Sequence, residues 1–316
     1  MYPFRPALIA LLALLLAAVL PCAAQETALS PAAAWAGAVG SEYTVTSNVV
    51  YLTANNFDLK LDIYAPLGLT RPNPTLIYFH GGGWVIGSKE TAVLHLLPYL
   101  EMGWTVVNVQ YRLGRVSLAP AAVEDCRCAL RWVIRNAERY RFDVNRIVLT
   151  GHSAGGHLSL ITAMLTSSVG LDRQCPTSFG TPPDPAKDEP RVAAVVNWYG
   201  ISDVNDLLEG PNTQGYALSW FGSLTNREEI ARRVSPLQYV RPGLPPVITI
   251  HGDQDTVVPY AHATRLHAEL QRHGVPNQLV TIPGGKHGGF TRAELEKAYS
   301  AIRAFLARHG LGPAAR

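Results

Sequence analysis

The sequence predicts an α/β fold: a mostly parallel, doubly wound sheet with an antiparallel hairpin at its amino-terminal edge and a small cap insertion. Three observations carry this expectation. Short apolar runs of strand length recur at about 75 to 80, 105 to 110, 146 to 150, 192 to 198, 246 to 251 and 277 to 282. Between them lie segments that read as helices, near 90 to 102, 119 to 139, 154 to 168, 260 to 273 and 291 to 309, and strictly alternating strands and helices build a layered parallel sheet. The third observation is Gly151-His152-Ser153-Ala154-Gly155-Gly156, a G-x-S-x-G turn leaving the apolar run Arg146-Ile147-Val148-Leu149-Thr150.

Taken in chain order, residues 7 to 20 are all apolar, preceded by Arg5 and followed by Pro21-Cys22-Ala23-Ala24. This run falls short of the roughly 20 residues a membrane-spanning helix needs and fits a cleavable signal peptide over residues 1 to 24. The expectation is a secreted or periplasmic protein with no stable membrane insertion after cleavage; an uncleaved amino-terminal anchor is the alternative. The mature domain then runs from 25 to 316, with 25 to 40 a loose leader or short helix. Strands near 43 to 51 and 57 to 65 alternate as a half-exposed antiparallel pair does.

The strand Pro74-Thr75-Leu76-Ile77-Tyr78-Phe79 delivers the chain into His80-Gly81-Gly82-Gly83-Trp84. Successive glycines let backbone N–H groups turn toward one point, where, with the N–H of Ala154, they can hold a developing oxyanion; each such donor is worth about 3 kcal/mol of barrier. Downstream, Ser153 occupies the elbow between strand and helix, the arrangement that exposes a nucleophilic hydroxyl, and side chains at 151 or 155 would collide with the neighbouring strand and helix.

A serine hydroxyl needs a base, and the base needs an orienting acid. The strand at 246 to 251 ends in His251-Gly252-Asp253-Gln254-Asp255-Thr256-Val257-Val258-Pro259, where either aspartate could serve. The next strand leads into Pro283-Gly284-Gly285-Lys286-His287-Gly288-Gly289, which makes His287 the candidate base. The other histidines read as bystanders: His262, His267, His273 and His309 on polar helix faces, His152 and His157 beside the elbow, His80 and His251 in structural hydrogen bonds.

Two insertions interrupt the alternation. Asp172 to Pro190 is crowded with Pro, Gly, Asp and Ser and reads as a surface loop. Residues 203 to 243 read as the small cap, and their Leu207-Leu208, Tyr216, Trp220 and Phe221 could line a pocket or pack the insertion's own small core. The net charge of +3 comes from scattered basic residues, which excludes a nucleic-acid footprint. No paired Cys or His spacing of the zinc type occurs, so neither metal nor cofactor is expected. Oligomeric state is not encoded in any of these features.

These motifs together resemble the α/β-hydrolase superfamily, and within it carboxylesterases with an HGGGW loop, especially the bifunctional feruloyl and acetyl xylan esterase-like group, BD-FAE-like. Besides the loops above, the likeness rests on Gly87-Ser88-Lys89, Tyr111-Arg112-Leu113, Ala121 through Cys126, and Trp198-Tyr199-Gly200-Ile201-Ser202-Asp203. The resemblance implies Ser153 as nucleophile, His287 as base and Asp255, at the HGxxDxxVP position, as the orienting acid, with Asp253 holding the loop. It implies Gly82, Gly83 and Ala154 as oxyanion donors. Trp84, Trp198, Tyr199 and Trp220 are the candidate pocket residues, although Trp84 could equally pack beneath its loop. A serine carboxylesterase follows, acting on short acyl, acetyl or feruloyl esters, including oligosaccharide esters from plant polysaccharide. The alternative is an exported serine peptidase or amidase of the same fold. In that fold Cys126 or Cys128 could reach Cys175 in a disulfide.

Overall fold

The structure is a computed structural model and describes residues 28–175 and 189–314. The signal-peptide expectation falls outside the described residues, as does most of the loop expected from Asp172 to Pro190. The chain divides into two units, Met1–Ser41 and Glu42–Arg316. The described part of the first is mainly helix α1 (Pro31–Glu42), an alanine-rich stretch with no buried residue.

The second unit is built on one eight-stranded sheet: β1 (Tyr43–Ala54), β2 (Phe57–Pro66), β3 (Asn73–Phe79), β4 (Thr105–Val109), β5 (Phe142–His152), β6 (Ala194–Trp198), β7 (Val247–Gly252) and β8 (Asn277–Ile282). Their spatial order is β1-β2-β4-β3-β5-β6-β7-β8. The first two strands pair antiparallel, as does β2 with β4, and every later pairing is parallel. The edge strand β1 is largely exposed, as expected, but it buries only Tyr51, Leu52 and Ala54 in place of the alternation read there.

Helices α2 (Ala121–Arg135), α3 (Ala154–Met164), α4 (Gly215–Phe221), α5 (Arg227–Arg233), α6 (Ala261–Arg272) and α7 (Arg292–Arg308) complete the layers. Side chains alternate across the central strands. Ile77, Phe79, Val107, Ile147 and Leu149 share one core with Val123, Leu130, Leu158 and Ile161 of α2 and α3. On the opposite face Tyr299 of α7 meets Trp198 and Tyr99.

Three expected helices are shorter than read. Between 90 and 102 the chain forms a 3₁₀ turn, Glu90–Leu96, then a single helical turn, Leu97–Leu100, because Pro98 has no N–H to continue an α-helix. The helix expected over 119 to 139 breaks after Arg135, where the Asn136 amide side chain bonds the Trp132 carbonyl, and resumes as a single turn, Ala137–Tyr140. The one expected over 154 to 168 ends at Met164 as Leu165 turns extended, and Ser167 beyond it is drawn into the Asp172 and Arg131 side-chain cluster.

Cys128 of α2 is disulfide-bonded to Cys175, and Cys126 is buried and free. Beside that bridge the buried Asp172 carboxylate pairs with Arg127 at 3.0 Å and Arg131 at 2.6 Å, so the start of the expected surface loop is anchored to α2.

Candidate active site

Strand β5 sits in the middle of the sheet and hands the chain to α3 through Ser153, whose φ of 57° and ψ of −119° lie outside the regions that suit a side-chain-bearing residue. Holding it there, the Ser153 N–H donates to the Trp198 carbonyl at 2.9 Å and its carbonyl accepts from the His157 N–H at 3.0 Å. The flanking glycines are sterically required. A β-carbon at Gly151 or Gly155 would stand 2.3 or 2.0 Å from the carbonyl oxygen of Phe79 on β3.

Three loops then meet at the carboxyl edge. His287, beyond β8, places Nε2 2.8 Å from Ser153 Oγ, and its Nδ1 lies 2.7 Å from Asp255 Oδ2, beyond β7. A carboxylate only accepts, so Nδ1 carries the ring proton and Nε2 is free to accept from the serine hydroxyl. Asp255 Oδ1 accepts the N–H groups of Val257 and Val258 at 2.8 and 2.9 Å. Burial opposes its charge, but hydrogen bonds from His251 and His287 outweigh that, holding the carboxyl well below the usual range. Asp253 braces the site from outside the relay, its Oδ1 accepting the Gly284 N–H at 2.7 Å and so tying the two loops together.

Gly82 and Gly83, both at positive φ, border a cavity of about 480 Å³ that Ser153 and His287 also line, a volume suited to a small ligand. Ala154, fully buried, opens α3 directly behind the serine.

The cavity wall differs from expectation. Trp84, Trp198 and Trp220 do not line it; each is at most 1% exposed and belongs to the core. Trp84 stacks on Trp220 at 4.2 Å, and its indole N–H donates to His157 Nδ1 at 3.0 Å. The insertion's aromatics therefore pack mainly against the scaffold, because flat rings gain most by burying both faces. Of the four candidates only Tyr199 lines the cavity, its ring 4.8 Å from that of His287. Tyr216, one of the insertion residues read as able to line a pocket, does so, whereas Tyr78, His95 and Val257, with His152, were not singled out as walls. Tyr216 comes from the 203 to 243 insertion and donates its hydroxyl to the Val257 carbonyl at 3.0 Å, bracing the edge of the acid loop. His152 accepts or donates at Nδ1 with the Tyr78 hydroxyl, 2.9 Å away, and stacks on Trp198; burial first, and then the neighbouring His95 and His287, push its pKa well below the ordinary value.

The remaining histidines divide. His80 and His251 make the expected structural contacts, to the Gly81 and Val258 carbonyls. His262 and His267 are not on a polar face but buried, aligned with Ala263, Leu266 and Leu270 on the inner side of α6. That spacing was visible in the sequence, since 262, 266 and 270 share one helical face.

Comparison with known proteins gives the family. Residues 61–270, from the hairpin through the acid loop, match the BD-FAE family model. The esterase LipC of Mycobacterium tuberculosis is 30% identical over 233 residues, 69% of this chain and 54% of LipC; the chain thus spans about half the length of the curated relatives it matches. Among solved structures, a truncated carbohydrate esterase from gut microbiota aligns with a TM-score of 0.69 at 25% identity, covering 85% of this chain and 96% of that one. The apo form of Thermogutta terrifontis esterase 2 gives a TM-score of 0.69 at 26% identity, covering 87% and 97%, and that enzyme has also been solved phosphorylated by paraoxon. With a family match over most of the sheet, and with structural neighbours that share its α/β-hydrolase architecture, this chain belongs to the BD-FAE family.

Proposed function

We propose that this protein is a serine carboxylesterase that works through an acyl-enzyme. The observation that carries the reading is the unbroken relay from Ser153 Oγ through His287 to Asp255, with hydrogen bonds of 2.8 and 2.7 Å. Ser153 attacks the ester carbonyl as its proton passes to His287 Nε2. The imidazolium so formed is stabilised by Asp255, whose carboxylate stays ionised. The N–H groups of Gly82, Gly83 and Ala154 receive the oxyanion; His287 returns its proton to the leaving alcohol, and water repeats the sequence on the acyl-enzyme.

Phosphorylation of Thermogutta terrifontis esterase 2 by an organophosphate supports an activated nucleophile in a close structural neighbour. Small acyl esters fit the cavity, and acetyl or feruloyl esters of plant oligosaccharides are the substrates we favour, in line with the carbohydrate esterase among the neighbours. Residues 203 to 243 act as a small cap, contributing Tyr216 to the wall. We further propose export to the periplasm or cell exterior, a reading supported by the Cys128–Cys175 disulfide, which persists in oxidising compartments.

The test is hydrolysis of a panel of acetyl, butyryl, octanoyl and feruloyl esters, acetylated xylan and a peptide amide, by wild type and Ser153→Ala. Ester turnover that vanishes in the variant is the expected result. A preference for the peptide amide would overturn the esterase reading, and activity surviving in the variant would overturn the mechanism.

A further inference from the structure

Four N–H groups converge on Asp255, and one of them lies outside the path of the proton. The valine amides hold Oδ1, and His287 Nδ1 meets Oδ2. The fourth is His251, whose Nε2 stands 3.3 Å from the same Oδ2.

That imidazole has a defined tautomer. Its Nε2 is also 2.9 Å from the Val258 carbonyl oxygen, an atom that only accepts, so Nε2 bears the proton, bonds that carbonyl and keeps its positive end against the carboxylate oxygen. The other ring nitrogen, Nδ1, is buried with no partner. The ring is wholly buried, set edge-on to Tyr260 and Tyr199, and its backbone pairs with Thr281 within the sheet. An apolar side chain here would leave the Val258 carbonyl without its donor and Asp255 Oδ2 facing His287 alone, so the single Nε2–H serves both oxygens.

We infer that His251 is a positioning residue for the relay: its Nε2–H, anchored on the Val258 carbonyl, fixes the plane of the Asp255 carboxylate so that Oδ2 faces His287. The inference rests on the esterase reading above. Without this donor, Oδ1 stays pinned by two amides while Oδ2 is held only by His287, the ring it has to orient. The carboxylate and imidazole can then drift together, and a misplacement on the order of 1 Å costs about 100-fold in rate.

Three variants test this, assayed on p-nitrophenyl acetate with active sites counted by paraoxon labelling. His251→Leu removes the donor and is expected to lower kcat per labelled site about tenfold or more, with KM within about twofold. His251→Gln carries an amide N–H out to the Nε2 position and should recover most of kcat, whereas His251→Asn, one methylene shorter, should not. Equal kcat in the Gln and Asn variants, or a Leu variant with lowered thermal stability but wild-type kcat per site, would overturn the inference. A defect confined to KM would overturn it as well. Should Ser153→Ala retain ester hydrolysis, the underlying esterase reading would fall and take this inference with it.

Discussion

Replacing Asp255 by Asn changes one atom and should cost almost all of the activity. Every neighbour of the carboxylate is a donor: the Val257 and Val258 amides on Oδ1, and His287 and His251 on Oδ2. An asparagine must give its single oxygen to the two amides, which turns its NH₂ toward His287 Nδ1. Donor then faces donor, and the imidazole relieves the conflict by moving its proton to Nε2. In that tautomer the nitrogen 2.8 Å from Ser153 Oγ can no longer accept the hydroxyl proton. The expected loss in kcat is about 10⁴-fold, as the wrong tautomer produces in such relays, equivalent to about 5.5 kcal/mol of barrier. Asp253→Asn is the matched control, because its one partner, the Gly284 N–H, still finds an amide oxygen; kcat should stay within about twofold. Steady-state hydrolysis of p-nitrophenyl acetate by the two variants decides the matter. A larger loss from Asp253→Asn would refute the assignment of the acid.

Three further outcomes are expected. Ser153→Gly removes the side chain from a backbone conformation costing about 1–3 kcal/mol, offset by about 0.5–1 kcal/mol of glycine entropy, so the variant should melt a few degrees higher while losing paraoxon labelling by mass spectrometry; a lower melting temperature contradicts the strain argument. Burial depresses the His157 pKa from 6.5 to about 4, so the unfolded chain takes up the proton first: its contribution to stability is complete above pH 6.5 and is lost as pH falls toward 4. At pH 5 the loss is about 2 kcal/mol, and urea unfolding of His157→Gln, which keeps partners for Trp84 and Val234, should show a pH dependence flatter by that amount. Reducing the Cys128–Cys175 bridge, which closes a separation of 47 residues, should lower stability by about 4 kcal/mol in urea melts with and without reductant; an unchanged midpoint would count against a structural disulfide.

Much of this arrangement was legible because its chemistry leaves residues no alternative. Gly151 and Gly155 have no room for a β-carbon, so the elbow announces itself in five letters, and each member of the relay follows a parallel strand of the sheet within about five residues. Asp255 and Asp253 could be told apart only by the resemblance, since both follow β7 within a turn and only the folded loop decides which faces His287. The pocket wall was less legible for a related reason. An aromatic side chain gains equally from burial in a core or from lining a site, and a sequence does not say which; Trp84, at a φ of 62°, is turned inward by the same loop that brings Gly82 and Gly83 to the cavity. Tyr78, His95 and Tyr216 reach the wall from a strand, a 3₁₀ turn and the insertion, with no common motif to announce their meeting. Pro98 illustrates the opposite case, a breaker present in the sequence whose effect outweighed the helical pattern around it.

The stack of Trp84 on Trp220 gives the insertion a second role besides bordering the cavity. The strip that harbours Gly82 and Gly83 rests on a ring contributed from more than a hundred positions away, so the two cannot be exchanged independently. Anyone grafting a foreign insertion onto this scaffold to change its substrate range would have to transplant residues 84 and 220 as a matched pair, or accept a catalytic loop with its floor removed.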